Sequence, residues 1–191
     1  MAHNLRPLRQ YNENDVVNLF AFSGNAETTS VVLTKGAVVK VQAPGFNPGT
    51  ALNSTPNTML GSVGASYDNT VSERYGVGPK ISLATSGSSV LGLTLLDVRE
   101  LDENGEKLIF NPRKAAEMNV VISGQAVPVL TRGIVLYSGS TIANATAGQF
   151  AVVSGTAGDL ANTSTLRTNE VAVGKFLGNA VQGTALLKIM L

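Results

Sequence analysis

The chain has no cysteine, no tryptophan, one histidine and little charge. Without cysteine there is no disulfide framework, no thiolate zinc site and no thiol nucleophile. The single histidine, His3, stands near the N-terminus, so a Ser–His–Asp site would need its base on a chain end. Charged residues are 14% of the 191, against about 25% in an average soluble domain. The formal net charge is +1 and there is no basic run; the closest pairs are Arg6 with Arg9 and Arg113 with Lys114. Nucleic-acid binding draws on clustered cations, so none is expected. Aromatic residues are only 5%, which disfavours a sugar-stacking module. No apolar stretch approaches the ~20 residues of a membrane helix. No signal-peptide core is present near Met1, so neither secretion nor membrane insertion is expected. The sequons at Asn53, Asn144 and Asn162 are then chance products of a chain rich in Ser, Thr and Asn.

What remains is a foldable, β-rich sequence. Hydrophobic residues make up 43%, too many for a disordered chain. A surface of Ser, Thr, Asn, Gly and Ala repels neighbours weakly and suits life in an assembly. Short apolar runs bounded by turn residues recur toward the C-terminus: Ile134 to Tyr137, Phe150 to Val153, Val171 to Val173 with Lys175 to Leu177, and Ala185 to Leu191. The period-two pattern of the last predicts Ala185, Leu187, Ile189 and Leu191 facing inward and Lys188 facing outward.

Further upstream, Asp15 to Phe22 reads as a strand. Val31 to Ala43 reads as amphipathic strand material interrupted at Gly36, with Ala37, Val39, Val41 and Ala43 on one face and Val38, Lys40 and Gln42 on the other. Ile81 to Leu83 is a short strand. In Val90 to Leu101 the alternation slips by one residue, which predicts a β-bulge. Asp102-Glu103-Asn104-Gly105 is a tight-turn sequence, with Glu106 to Phe110 as the return strand. Asn111-Pro112 opens one short helix. Val120 to Ile122 and Ala126 to Leu130 follow as strands around a turn at 123–125, with Pro128 marking an edge or bulge.

The expected fold is therefore mainly β: an antiparallel β-barrel or sandwich with an extended N-terminal arm, a long irregular excursion and one short helix. Residues 1–14 form the arm. Residues 15–70 hold strands plus a Pro/Gly-rich excursion at 44–66. Residues 71–191 form the β-rich body, with the barrel at about 120–191. Arg6, Leu8, Arg9 and Tyr11 give the arm a mixed basic and apolar character suited to docking on a partner.

Catalytic and ligand-binding patterns fail on inspection. Gly76-Val77-Gly78-Pro79-Lys80 lacks phosphate-loop spacing, and Gly174-Lys175 is followed by Phe176. The 102–105 turn has the wrong oxygen register for calcium. Glu100, Asp102, Glu103 and Glu106 are close in sequence, but a hairpin tip predicts solvated charge rather than a carboxylate pair at work. No enzyme activity, metal or cofactor is expected.

From Val120 to Leu191 the chain resembles the small β-barrel of tailed-phage head decoration proteins, also called capsid cement or stabilisation proteins. The residues that carry the resemblance are Gly124 to Leu130, Arg132-Gly133-Ile134-Val135-Leu136-Tyr137, Val171-Ala172-Val173-Gly174-Lys175-Phe176-Leu177, and Gly183 to Leu191. The match covers about a third of the chain. It implies a structural virion protein on the outer surface of the head, made in the host cytoplasm, with the major capsid protein as partner and a homo-oligomer (a trimer or local clusters) as its state. Other β-rich virion parts, such as a tail-tube, adaptor or fibre-base protein, fit the same features. A carbohydrate-binding β-sandwich is the third possibility.

Overall fold

The computed structural model describes residues 3–8, 11–23, 31–43, 45, 79–168 and 170–191. The excursion expected at 44–66, the glycines at 76 and 78, Arg9 and Asn53 lie outside these, Gly45 apart. Among the described residues the fold is mainly β, with one α-helix.

The strands form three sheets stacked in layers. The first sheet takes β1 (Asn4–Pro7), β11 (Arg132–Ser138), β15 (Thr184–Met190), β14 (Ala172–Phe176), β12 (Phe150–Val153) and β13 (Leu160–Thr163), in that spatial order and antiparallel throughout. It is open: β1 and β13 are its two edges. The middle sheet is ordered β2 (Val16–Val17), β10 (Val129–Leu130), β7 (Gly92–Thr94), β5 (Val38–Val41), β6 (Lys80–Leu83), β3 (Ala21–Phe22), and β3 runs parallel to β6. The third sheet is β4 (Val31–Leu33), β8 (Asp97–Arg99), β9 (Val120–Ile122).

Two cores explain the stacking. Leu5, Val135, Tyr137, Leu160, Phe176, Leu187 and Ile189 of the first sheet meet Val38, Leu93 and Leu130 of the middle sheet. On the other side of the middle sheet, Val39, Ile81 and Val129 meet Leu33, Val98 and Val121 of the third. Adjacent residues on a strand point to opposite faces. Val38 and Val39 therefore serve different cores, as do Val129 and Leu130. A sheet buried on both faces reads as continuous apolar sequence, not alternation. This corrects the two-faced reading of residues 37–43: Ala37, Val38 and Val39 are all fully buried, while Val41 is exposed.

Other expectations change for similar reasons. The slip in residues 90–101 is not a bulge within one strand. The chain bends at Leu95-Leu96 and passes from the middle sheet into the third. Asp15 to Phe22 is not one strand but a 3-10 turn (Glu13–Asp15) followed by β2 and β3. Glu106 to Phe110 does not return as a strand; Leu108–Phe110 is a 3-10 turn. The strand material at 120–130 lies in the third and middle sheets, so the unit expected at 120–191 begins instead at Arg132 and recruits β1 from the N-terminus. In β15, Ala185, Leu187 and Ile189 are buried and Lys188 is exposed as expected, but Leu191 is 41% exposed beyond the last ladder pair.

The helix α1 (Pro112–Glu117) starts as its sequence indicates. The Asn111 side chain accepts from the Lys114 amide, and proline fills the first position. Ala115 seats α1 against Leu108, which precedes the helix, and Ile122 of the third sheet.

Candidate partner-binding surface

Of the arm expected over residues 1–14, the described stretch from His3 to Leu8 is docked on its own chain. Asn4–Pro7 pairs antiparallel with β11, Leu5 opposite Tyr137 and Arg6 opposite Leu136, and the Leu8 amide donates to the Ile134 carbonyl at 3.1 Å. Leu5 is 2% exposed within the first core. Burying one leucine and pairing one edge of β11 holds the segment extended. The polar sequence around Leu5 shows no alternation because one inward residue suffices on so short an edge strand.

His3 fastens this strand at its start. Its Nδ1 lies 2.7 Å from the Asp159 carboxylate, and its Nε2 lies 2.7 Å from the Thr34 hydroxyl. The imidazole thus bridges the loop before β13 to the loop after β4, joining the first and third layers. Both carboxylate–imidazole and imidazole–hydroxyl distances suit a nucleophile relay. The backbone after Thr34 does not supply the rest of such a site. The Lys35 amide donates to Asp97, the Gly36 amide to the Thr94 carbonyl, and the Ala37 amide to the Thr94 hydroxyl. No amide of that turn is left to hold an oxyanion. The geometry is that of a clasp.

A second clasp corrects the reading of the 100–106 carboxylates. Glu100 and Asp102 are buried, not solvated. Asp102 accepts from the amides of Asn104 and Glu106 at 2.8 Å and pairs with the Lys114 ammonium. The Lys114 hydrogen bond, aided by those two amides, holds the Asp102 carboxyl below its ordinary value of 3.8 against the opposing effect of desolvation. The same bond raises Lys114 above 10.5. In the first core, burial pushes the Tyr137 phenol well above its ordinary value, and its oxygen accepts from the Leu160 amide at 3.4 Å. Among the described residues no group of three or more His, Asp or Glu side chains converges as a metal site.

Of the four residues picked from the sequence, Arg6, Leu8 and Tyr11 are on the surface, and Arg9 lies outside the described residues. Leu8 is 52% exposed. Arg6 and Tyr11 border a groove of about 440 Å³ floored by Val16, Leu95, Leu96, Met118 and Pro128, where the N-terminal segment crosses the layers. Sequence reasoning missed Phe110 and Val181, the most exposed large apolar side chains among the described residues. They stand in turns, where no periodicity marks them.

No family model matches the chain, and no curated protein matches it.

Proposed function

We propose that the protein is a structural component of a tailed-phage virion, which coats the outside of the head and stabilises it by binding the major capsid protein lattice. The observation that carries this reading is the adjacency of the motif-bearing strands. β11, β15 and β14, which hold three of the four segments resembling the decoration-protein barrel, are direct neighbours in one sheet; the fourth, Gly124 to Leu130, enters the middle sheet through β10. The layers are clasped to one another by His3 and packed over shared cores, and segments already ordered before docking lose little further conformational entropy. Arg6, Leu8 and Tyr11 lie exposed along one segment and contact the lattice, and trimers or clusters form at local symmetry axes. The assembled lattice presents the site and the free subunit does not, so binding stabilises the shell by mass action.

The test is co-sedimentation of purified protein with undecorated heads and, separately, with tails. Binding to heads that raises their melting temperature is the expected result. Binding to tails alone would move the protein to another virion part. Removing residues 1–14 would delete β1 and the buried Leu5, so the contact residues are better probed by Leu8→Asp and Tyr11→Ala, which leave β1 in place.

A further inference from the structure

We propose that the outer face of the first sheet docks onto an acidic protein surface, with Lys175 and Lys188 at the centre of the contact. The six strands of this sheet contain no aspartate or glutamate. They contain four cations: Arg6, Arg132, Lys175 and Lys188. All four are exposed and alternate with inward core residues such as Leu5, Phe176, Leu187 and Ile189. They therefore share the face turned away from the middle sheet. Among the described residues none of the four has a carboxylate partner within ion-pair distance.

A second observation concerns register. Lys175 stands directly opposite Lys188 on adjacent antiparallel strands. Neighbouring strands are about 4.8 Å apart, and like charges directly opposite destabilise a sheet. Lys175 finds partial relief over the Phe150 ring, 4.8 Å from its centroid; among the described residues Lys188 has no such contact. The isolated chain thus places like charges opposite each other, an arrangement that an acidic partner would convert into attraction.

Between the cations lie aliphatic side chains, with Leu136 opposite Leu186 in the row of Arg6, and Met190 opposite Arg132. Aliphatic groups pack on protein. A nucleic-acid platform stacks bases on aromatic faces, and Phe150, the one outward aromatic side chain among the described strands of this sheet, is covered by Lys175. A protein surface with acidic and apolar character is the occupant that fits. Under the proposed function, which this inference deepens, that surface belongs to the capsid lattice.

Lys188→Glu separates the two consequences of this arrangement. It replaces a Lys–Lys pair with a Glu–Lys pair, so the isolated protein should melt at a higher temperature. The same change should weaken binding to heads by about tenfold at low salt, whereas Arg113→Glu on α1, an equal charge change elsewhere, should not. Undiminished head binding by Lys188→Glu overturns the inference and leaves the proposed function standing. If the native protein does not bind heads, the proposed function fails, and the face is decided with defined probes, polyglutamate peptide and a single-stranded oligonucleotide. Polyglutamate binding that Lys188→Glu abolishes supports the face. Preference for the oligonucleotide, or binding to neither, overturns it.

Discussion

Leu5→Ala is the sharpest test of the N-terminal docking. Leu5 is 2% exposed and packs into the core shared by the first and middle sheets. Gly36 passes so close that a Cβ there would stand 3.1 Å from the Leu5 Cβ, and Gly36 holds a φ of +87°, which glycine adopts without cost. Full burial of a leucine contributes roughly 1.5–3 kcal/mol, and buried Leu→Ala changes cost roughly 2–5 kcal/mol once the cavity is included. Leu5 sits on an edge strand that can shift inward, which puts the expected loss in the lower half, about 2–3 kcal/mol. That corresponds to a fall in melting temperature of about 4–12 °C for a chain of this size. Urea titration should show a lower midpoint with an unchanged slope. His3→Ala, which removes the bonds to Asp159 and Thr34, should cost about 1–3 kcal/mol at the usual net worth of a hydrogen bond. The double variant should lose less than the sum, because freeing the strand at either point weakens the other. A change below about 0.5 kcal/mol for Leu5→Ala, the range of ordinary surface substitutions, would refute the docking and restore a free arm.

Three other outcomes follow from the same geometry. Leu187→Ala should cost about 2–5 kcal/mol, while Leu191→Ala, at a 41% exposed position, should stay within about 0.5 kcal/mol; denaturant titration of both variants checks the inward register of β15. Gly174→Ala would place a Cβ 2.1 Å from the Lys188 carbonyl oxygen, a backbone collision expected to cost about 3 kcal/mol, at the upper end of overpacking, whereas Gly178→Ala meets nothing within 4 Å and should melt like the native protein. The Asp102 carboxyl is held below 3.8, so its contribution is complete above that value and is lost as pH falls through the lower native one. Lys114, held above 10.5, loses its share only as pH rises through its native value. The stability gap between native protein and Asp102→Asn should therefore stay level from about pH 5 to 9 and close in acid; a gap unchanged at pH 2 would exclude the ion pair as its source.

Several features were legible because they are local. Asn111-Pro112 announced α1 through its cap and its first-turn proline. The period of two in Ala185, Leu187 and Ile189 announced their burial, and the 102–105 and 123–125 turns fell where their residues placed them. These follow from chain sterics and from alternation against one buried face. Leu160–Thr163 was not anticipated as a strand, since Leu-Ala-Asn-Thr has no alternation and earns its ladder from β12.

Tertiary structure alone decided the rest. It set three layers rather than one barrel, because only a partner on each side shows that Val38 and Val39 are both core. It turned the slip at Leu95-Leu96 into a change of sheet. It buried Asp102 by bringing Lys114 onto it, and made a strand of Asn4–Pro7 by offering the edge of β11, more than 120 residues away. By itself the sequence determined which segments are apolar on one side and where the chain turns. Which edges meet, and hence which polar groups are buried or left facing outward, depends on pairings between distant segments. Their hydrogen bonds are made by backbone common to every residue, so no local pattern encodes them.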